Sequence, residues 1–166
     1  MPYSSSEPFI SHDIPIGIAI LDYWRWAYSD LSGNINRAIL GEFIVASALG
    51  ITHTGTESER QEWREYDLFF DGIRVEVKTA AQVQAWHAAK RAPISFSIAK
   101  ALRFDSKTGK YISGSEARHS DVYVFAVYTA SDNDAQSSPL NLDLWDFYVV
   151  ATVDIDLCLR DQQSIR

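Results

Sequence analysis

Apolar residues recur at intervals of three and four twice in the first third of the chain. Ile20, Tyr23, Trp24, Ala27 and Tyr28 form the first series and predict a helix within the stretch Ile16 to Ser29. Ile35, Ile39, Leu40, Phe43, Ile44 and Ala46 form a broader face and predict a second helix from about Ile35 to Leu49. Asn34 or Ser32 can cap it, and Gly50 supplies its stop. Residues 1–14, with Ser, Pro and little periodicity, read as an irregular lead-in.

After the polar stretch 52–63 the pattern changes to short apolar runs. Tyr66–Phe70 and Ile73–Thr79 flank Asp71-Gly72, the strongest short-range signal for a β-hairpin. Further strands are expected at Ile94–Ile98, Val122–Thr129 and Phe147–Val153. The runs VYVFAVY and FYVVATV are nearly continuous in β-branched and aromatic residues, which places both centrally in a sheet. Gln82–Lys90 reads as a short helix or a loop over the hairpin, FDSKTGKYISGSE as a turn-rich excursion, and a short helix fits near the C-terminus. Helix, helix, hairpin and then strands predict an α/β fold, a mixed central β-sheet flanked by helices.

Composition narrows the classes. A chain of 166 residues, 46% hydrophobic, supports one core and one domain, residues 1–166. No run of 18 apolar residues occurs and the opening MPYSSSEPF lacks a secretory pattern, so a soluble cytoplasmic protein with no membrane partner is expected. Cys158 stands alone, and His12, His53, His87 and His119 have no zinc-ligand spacing, so any metal would be held by oxygen. The net charge of −7 argues against a nucleic-acid coat protein. Between Gln82 and Ser120, however, seven basic residues (Lys90, Arg91, Lys100, Arg103, Lys107, Lys110, Arg118) face two acidic ones, Asp105 and Glu116. Such a segment forms either one face for a polyanion or a solvated mixed-charge loop. There is no Gly-rich phosphate loop, G-x-S-x-G elbow or Cys/His nucleophile pair, so ATPase, serine hydrolase and thiol protease readings lack support.

The chemistry lies in the hairpin. Along Ile73–Thr79, Arg74, Glu76 and Lys78 share one face because strand side chains alternate. Pairing across Asp71-Gly72 brings Asp67 close to the end that carries Lys78, so one hairpin gathers two carboxylates and an ammonium. Mg²⁺ takes oxygen ligands, often only one or two carboxylates, and keeps several waters. A lysine there can hold an attacking water or neutralise charge growing on a phosphorane. An exposed hairpin with an ordinary Glu/Lys face has the same spacing.

Asp67 followed after a hairpin by Glu76-Val77-Lys78 resembles the signature of the PD-(D/E)XK nuclease superfamily. The resemblance implies a restriction endonuclease-like fold and Mg²⁺- or Mn²⁺-dependent hydrolysis of DNA by an endodeoxyribonuclease, with DNA as partner. It implies that Asp67, Glu76 and the Val77 carbonyl bind the metal and that Lys78 is catalytic. Glu42 matches the helical Glu of many members, and Gln82 the polar residue of the extended ExKxxxQ version. The match covers roughly residues 34–98, and more loosely the strand after Ser120, with Tyr66 where proline is usual. Lys90, Arg91 and Lys100 are candidate phosphate contacts. Trp86, beside His87, is the best-placed base-stacking candidate. Trp24, Trp26 and Trp145 read as core, Trp63 is undecided, and His119 and Asp121 lie where they could approach the site. Cutting both strands at once would need a second active site, which a homodimer would supply. The competing readings are a catalytically silent DNA-binding or protein-interaction module of the same fold, and a metal hydrolase acting on a small phosphoester.

Overall fold

The hairpin forms as its turn chemistry dictates. In the computed structural model, which describes residues 3–51, 64–82, 93–130 and 138–166, Asp71 and Gly72 take φ of 49° and 81°. These are the left-handed values that a type I′ turn requires. The turn joins β3 (Leu68–Phe70) to β4 (Ile73–Ala81), with Phe70 opposite Ile73 and Leu68 opposite Val75. Strand β4 also pairs in parallel with β8 (Val122–Tyr128), from Val75 opposite Val122 to Ala81 opposite Tyr128. Antiparallel to β8 on its far side runs β9 (Trp145–Ala151), giving a mixed sheet of order β3-β4-β8-β9.

Two helices cover this sheet. Helix α2 (Asn34–Ala48) packs Val45 against Val75, Val77 and Val124 on one face. Leu40 and Ile44 pack there against Ala81, Ala126, Tyr128 and Trp145. On the other face Tyr123, Phe125 and Val127 meet Phe96, Ile98 and Ile155, the last from helix α3 (Thr152–Leu159). Burying each of the larger apolar side chains among these contributes about 1.5–3 kcal/mol, so these two layers hold the sheet from both sides. Short pairs complete the fold: β5 (Phe96–Ser97) with β10 (Ser164–Ile165), and β6 (Phe104–Asp105) with β7 (Lys110–Tyr111). Among the described residues no helix is long and apolar enough to cross a membrane.

The amino terminus departs from the expected irregular lead-in and early helix. It is a hairpin of β1 (Pro8–Ser11) and β2 (Ile14–Ala19), turned by His12 and Asp13 at φ 49° and 63°. Ile14, Ile16 and Ile18 alternate with Pro15, Gly17 and Ala19, a period of two. Helix α1 (Ile20–Tyr28) starts only where Asp22 Oδ2 accepts the Ala19 N–H at 2.8 Å. Trp26 is 85% exposed, contrary to its expected place in the core; two positions apart on a helix, it points well away from Trp24. The N-cap of α2 is Gly33, neither Ser32 nor Asn34. The Ser32 hydroxyl instead donates to Asp30 at 2.5 Å, and the Asn34 side chain accepts from Arg37.

Among the described residues strand β9 is an edge, not a central strand, and its middle residues are exposed. It ends at Ala151, earlier than expected, because Thr152 begins α3 and anchors it by donating from Oγ1 to the Ser120 carbonyl at 2.6 Å. Trp145 is buried as expected, its indole N–H donating to Pro139 O at 2.9 Å.

Candidate active site

Backbone alternation along β4 decides what faces its open edge. Arg74 and Gln82, even-numbered, turn toward β8: the Arg74 carbonyl accepts from Asp121 N–H at 2.8 Å and Gln82 N–H reaches the Tyr128 carbonyl at 3.0 Å. Odd-numbered residues face the β3 side, where the Val75 carbonyl accepts from Asp67 N–H at 3.1 Å. Strand β3 begins only at Leu68, so one step further along β4 a ladder acceptor is lacking. The Asp67 side chain supplies it, Oδ2 accepting the Val77 N–H at 2.7 Å. By the same alternation the Val77 carbonyl faces this edge.

Glu76 and Lys78 project from one face of β4, as their spacing predicts. Lys78 Nζ donates to Glu76 Oε1 at 2.5 Å, with the side chains 33% and 18% exposed. The other oxygen, Glu76 Oε2, accepts from Ser120 Oγ at 3.3 Å, and Ser120 is itself buried. Glu42 comes from the α2 side. Its neighbour Gly41 lies so close to β4 that a Cβ there would stand 2.2 Å from Thr79 Oγ1. That close approach brings the first half of α2 onto the strand and Glu42 within electrostatic range of Asp67.

Charge at this edge is unbalanced. Burial first, then the charge of Glu76, then that of Glu42, push the Asp67 carboxyl up from 3.8 to about 7, against the opposing pull of the Val77 N–H and Lys78. Three carboxyl groups are thus coupled to one ammonium, and Asp67 is poised to change protonation near neutrality. Such an acid-rich edge with backbone oxygen is a donor set suited to a hard divalent cation. Among the described residues no three His, Cys, Asp or Glu side chains are grouped for metal binding. An ion here would therefore rest on Asp67, Glu76, the Val77 carbonyl and water, with Glu42 contributing charge.

Beside Glu76 and Lys78 opens a cleft of about 280 Å³, walled by Ser97, Ala99–Ala101 and Ala117–His119, with Tyr123 also lining it. An antiparallel bridge between Ala101 and Ala117 stiffens this wall. His119 lies there, its Nε2 donating to the Ala101 carbonyl at 2.8 Å, whereas Asp121 forms a bidentate pair with Arg74 and is pulled down to about 2. Asp121 therefore pins the entrance of β8 to β4. Gln82 sits at the end of β4, and no side-chain bond to the hairpin group accompanies its backbone contact.

Within the described part of the basic segment, three of the basic residues are engaged in ion pairs. Lys100 pairs with Asp161 at 2.6 Å, Arg103 with Glu65 at 2.7 Å, and the fully buried Arg118 side chain with Asp156 at 2.5 Å. Lys90, Arg91, Trp86 and His87 lie outside the described residues, as does Trp63. Ser120 and Tyr123 were not singled out in the sequence. Their place follows from the parallel register that sets Glu76 beside Tyr123, a long-range pairing with no local signature. No protein-family model matches this chain, and no curated protein or solved structure matches it significantly.

Proposed function

We propose that this chain is a Mg²⁺- or Mn²⁺-dependent nuclease of the PD-(D/E)XK kind, with a restriction endonuclease-like fold, acting on DNA. The observation that carries the reading is the meeting of Asp67, Glu76 and Lys78, with Glu42 behind them, where β4 runs on past the end of its pairing with β3. Asp67, Glu76 and the Val77 carbonyl would hold the cation. When bound, it supplies Lewis-acid polarisation of the phosphate and lowers the pKa of a bound water.

The chain's own residues account for the rest. Asp67 must release its proton before it can serve as a ligand, which ties metal affinity to pH. Glu76 holds Lys78 Nζ at the rim of the site. From there the ammonium can orient an attacking water and offset the charge that grows on the phosphoryl oxygens, the kind of contribution typically worth 10²–10³ in rate. Glu42 raises the negative potential of the site without needing direct contact. Lys100 is a candidate contact for a flanking phosphate once it leaves Asp161.

Cleavage of single-stranded, duplex and branched DNA, with Mg²⁺ and with chelator, for the wild type and Lys78→Ala, tests this reading. Metal-dependent cutting that falls at least a hundredfold in Lys78→Ala is expected; equal nicking by both proteins ends it. The close Lys78–Glu76 pair and the absence of a three-residue ligand group among the described residues favour a second reading, a catalytically silent binding module. Calorimetric titration with Mn²⁺ separates them, since only a nuclease site should show binding that Asp67→Ala removes.

A further inference from the structure

The cleft beside Lys78 contains a polar group that the proposed chemistry leaves unused. Tyr123 is only 4% exposed, and among the described residues its hydroxyl has no hydrogen-bond partner. Yet that oxygen is not among the fully enclosed unpartnered atoms, which are Thr79 Oγ1 and Tyr128 Oη. Tyr123 lines the cleft together with Glu76 and Lys78. A buried phenol without a partner is costly unless something supplies an acceptor. Burial, followed by the charge of Glu76, pushes this phenol up to about 12, so it stays protonated and able to donate.

Other donors line the same space. Lys78 and Lys100 contribute ammonium groups and Ser97 a hydroxyl, while His119 is oriented by its Nε2 bond to the Ala101 carbonyl; the two carboxylates of the lining, Glu65 and Glu76, are paired with Arg103 and Lys78. Asp161, the partner of Lys100, is 88% exposed, and so open a pair exchanges readily for another anion. The volume of about 280 Å³ equals about nine waters at roughly 30 Å³ each. That is room for the sugar and phosphate of one nucleotide, not for a base pair.

We propose that this cleft is a subsite for one nucleotide at a free strand end, with the Tyr123 hydroxyl and Lys100 donating to its phosphate, so that cutting proceeds from ends. Its substrate class rests on the nuclease reading, whereas its binding step does not. Hydrolysis adds one water across a P–O bond: the water oxygen bonds to phosphorus, the bond to the adjacent nucleotide breaks, and the departing oxygen takes a proton from solvent. A mononucleotide is released.

The test uses the full chain in two arms. Deoxythymidine 5′-monophosphate and 3′-monophosphate are titrated calorimetrically in chelator into the wild type, Tyr123→Phe and Lys100→Ala. Linear and circular single-stranded DNA are then digested with Mg²⁺. At least one monophosphate should bind, about tenfold more weakly to Tyr123→Phe, the loss expected for one hydrogen bond to a charged acceptor. The better ligand gives the polarity, and the linear strand should be degraded while the circle survives. Tyr123→Phe keeps the ring volume, and its folding is checked by its melting temperature. Saturable binding by neither monophosphate, equal binding to wild type and Tyr123→Phe, or a circle opened as fast as the linear strand is cut overturns the inference. Circle opening without monophosphate binding overturns it while leaving the nuclease reading intact. Monophosphate binding lost in Tyr123→Phe, with no cleavage of either DNA, upholds the subsite and overturns the nuclease reading.

Discussion

Replacing Asp67 by asparagine should stabilise the protein at pH 8 in the absence of divalent metal. The Asp67 carboxyl ordinarily ionises near 3.8 and here near 7, because the fold half-buries it among the charges of Glu76 and Glu42. The folded chain thus holds this proton more tightly than the unfolded chain does. The sign follows: stability from this group is fully present below about pH 4, declines as pH rises, and is lost above about pH 7. Each pH unit of separation is worth about 1.4 kcal/mol, so the loss is about 2–4 kcal/mol once water penetration is allowed for. Asparagine keeps an oxygen for the Val77 N–H and carries no charge, so Asp67→Asn escapes the decline. Urea denaturation of both proteins in chelator, from pH 4.5 to 8, measures the difference; titrating groups remote from Asp67 are common to both and cancel. The gap should widen in favour of the variant by that amount. A difference curve flat with pH would refute the argument. Saturating Mg²⁺ at pH 8 should narrow the gap by about 2.7 kcal/mol at a hundred times Kd, since it stabilises only the chain that binds it.

Three further outcomes are expected. Gly41→Ala places a methyl 2.2 Å from Thr79 Oγ1, which forces α2 off β4; overpacking of this kind costs about 1–3 kcal/mol, read by thermal denaturation, and any DNA cleavage should fall with it as Glu42 withdraws. Arg118→Met removes a fully buried guanidinium that donates to the carbonyls of Ile98, Arg160 and Gln162 and to Asp156; it should cost about 3–5 kcal/mol in urea denaturation. Raising the pH from 6 to 8 should increase Mn²⁺ affinity in calorimetry as Asp67 ionises, with proton release visible as a buffer-dependent enthalpy; an affinity unchanged over this range would remove Asp67 from the ligand set.

Most of the site could be read from the sequence because it is local. An Asp-Gly turn fixes the register of β3 on β4, and a period of two then sorts Glu76 and Lys78 from Val75 and Val77. Helix α2 was equally plain from its broad apolar face. Elements that depend on distant partners were not. FYVVATV looks like a central strand until one knows that, among the described residues, none pairs with β9 on its far side, and its last residues join α3 because Thr152 finds the Ser120 carbonyl. The amino-terminal hairpin was missed because His12-Asp13 is a rarer left-handed turn than Asn-Gly, and because isoleucines alternating with proline and glycine imitate no familiar strand. Tyr123 and Ser120 join the site across a parallel crossover of some forty residues, a distance over which no motif reaches.

The Asp67 side chain closing the ladder at Val77 N–H has a consequence for any mutational survey of this protein. One oxygen of the proposed ligand group belongs to the main chain, so exchanging the valine for alanine, leucine or threonine leaves it in place. A scan of side chains will score position 77 as a packing residue and pass over its chemistry. Proline at 77 is the informative change: it deletes the amide that steadies the acid while keeping the carbonyl, and so separates the anchoring of Asp67 from the supply of oxygen.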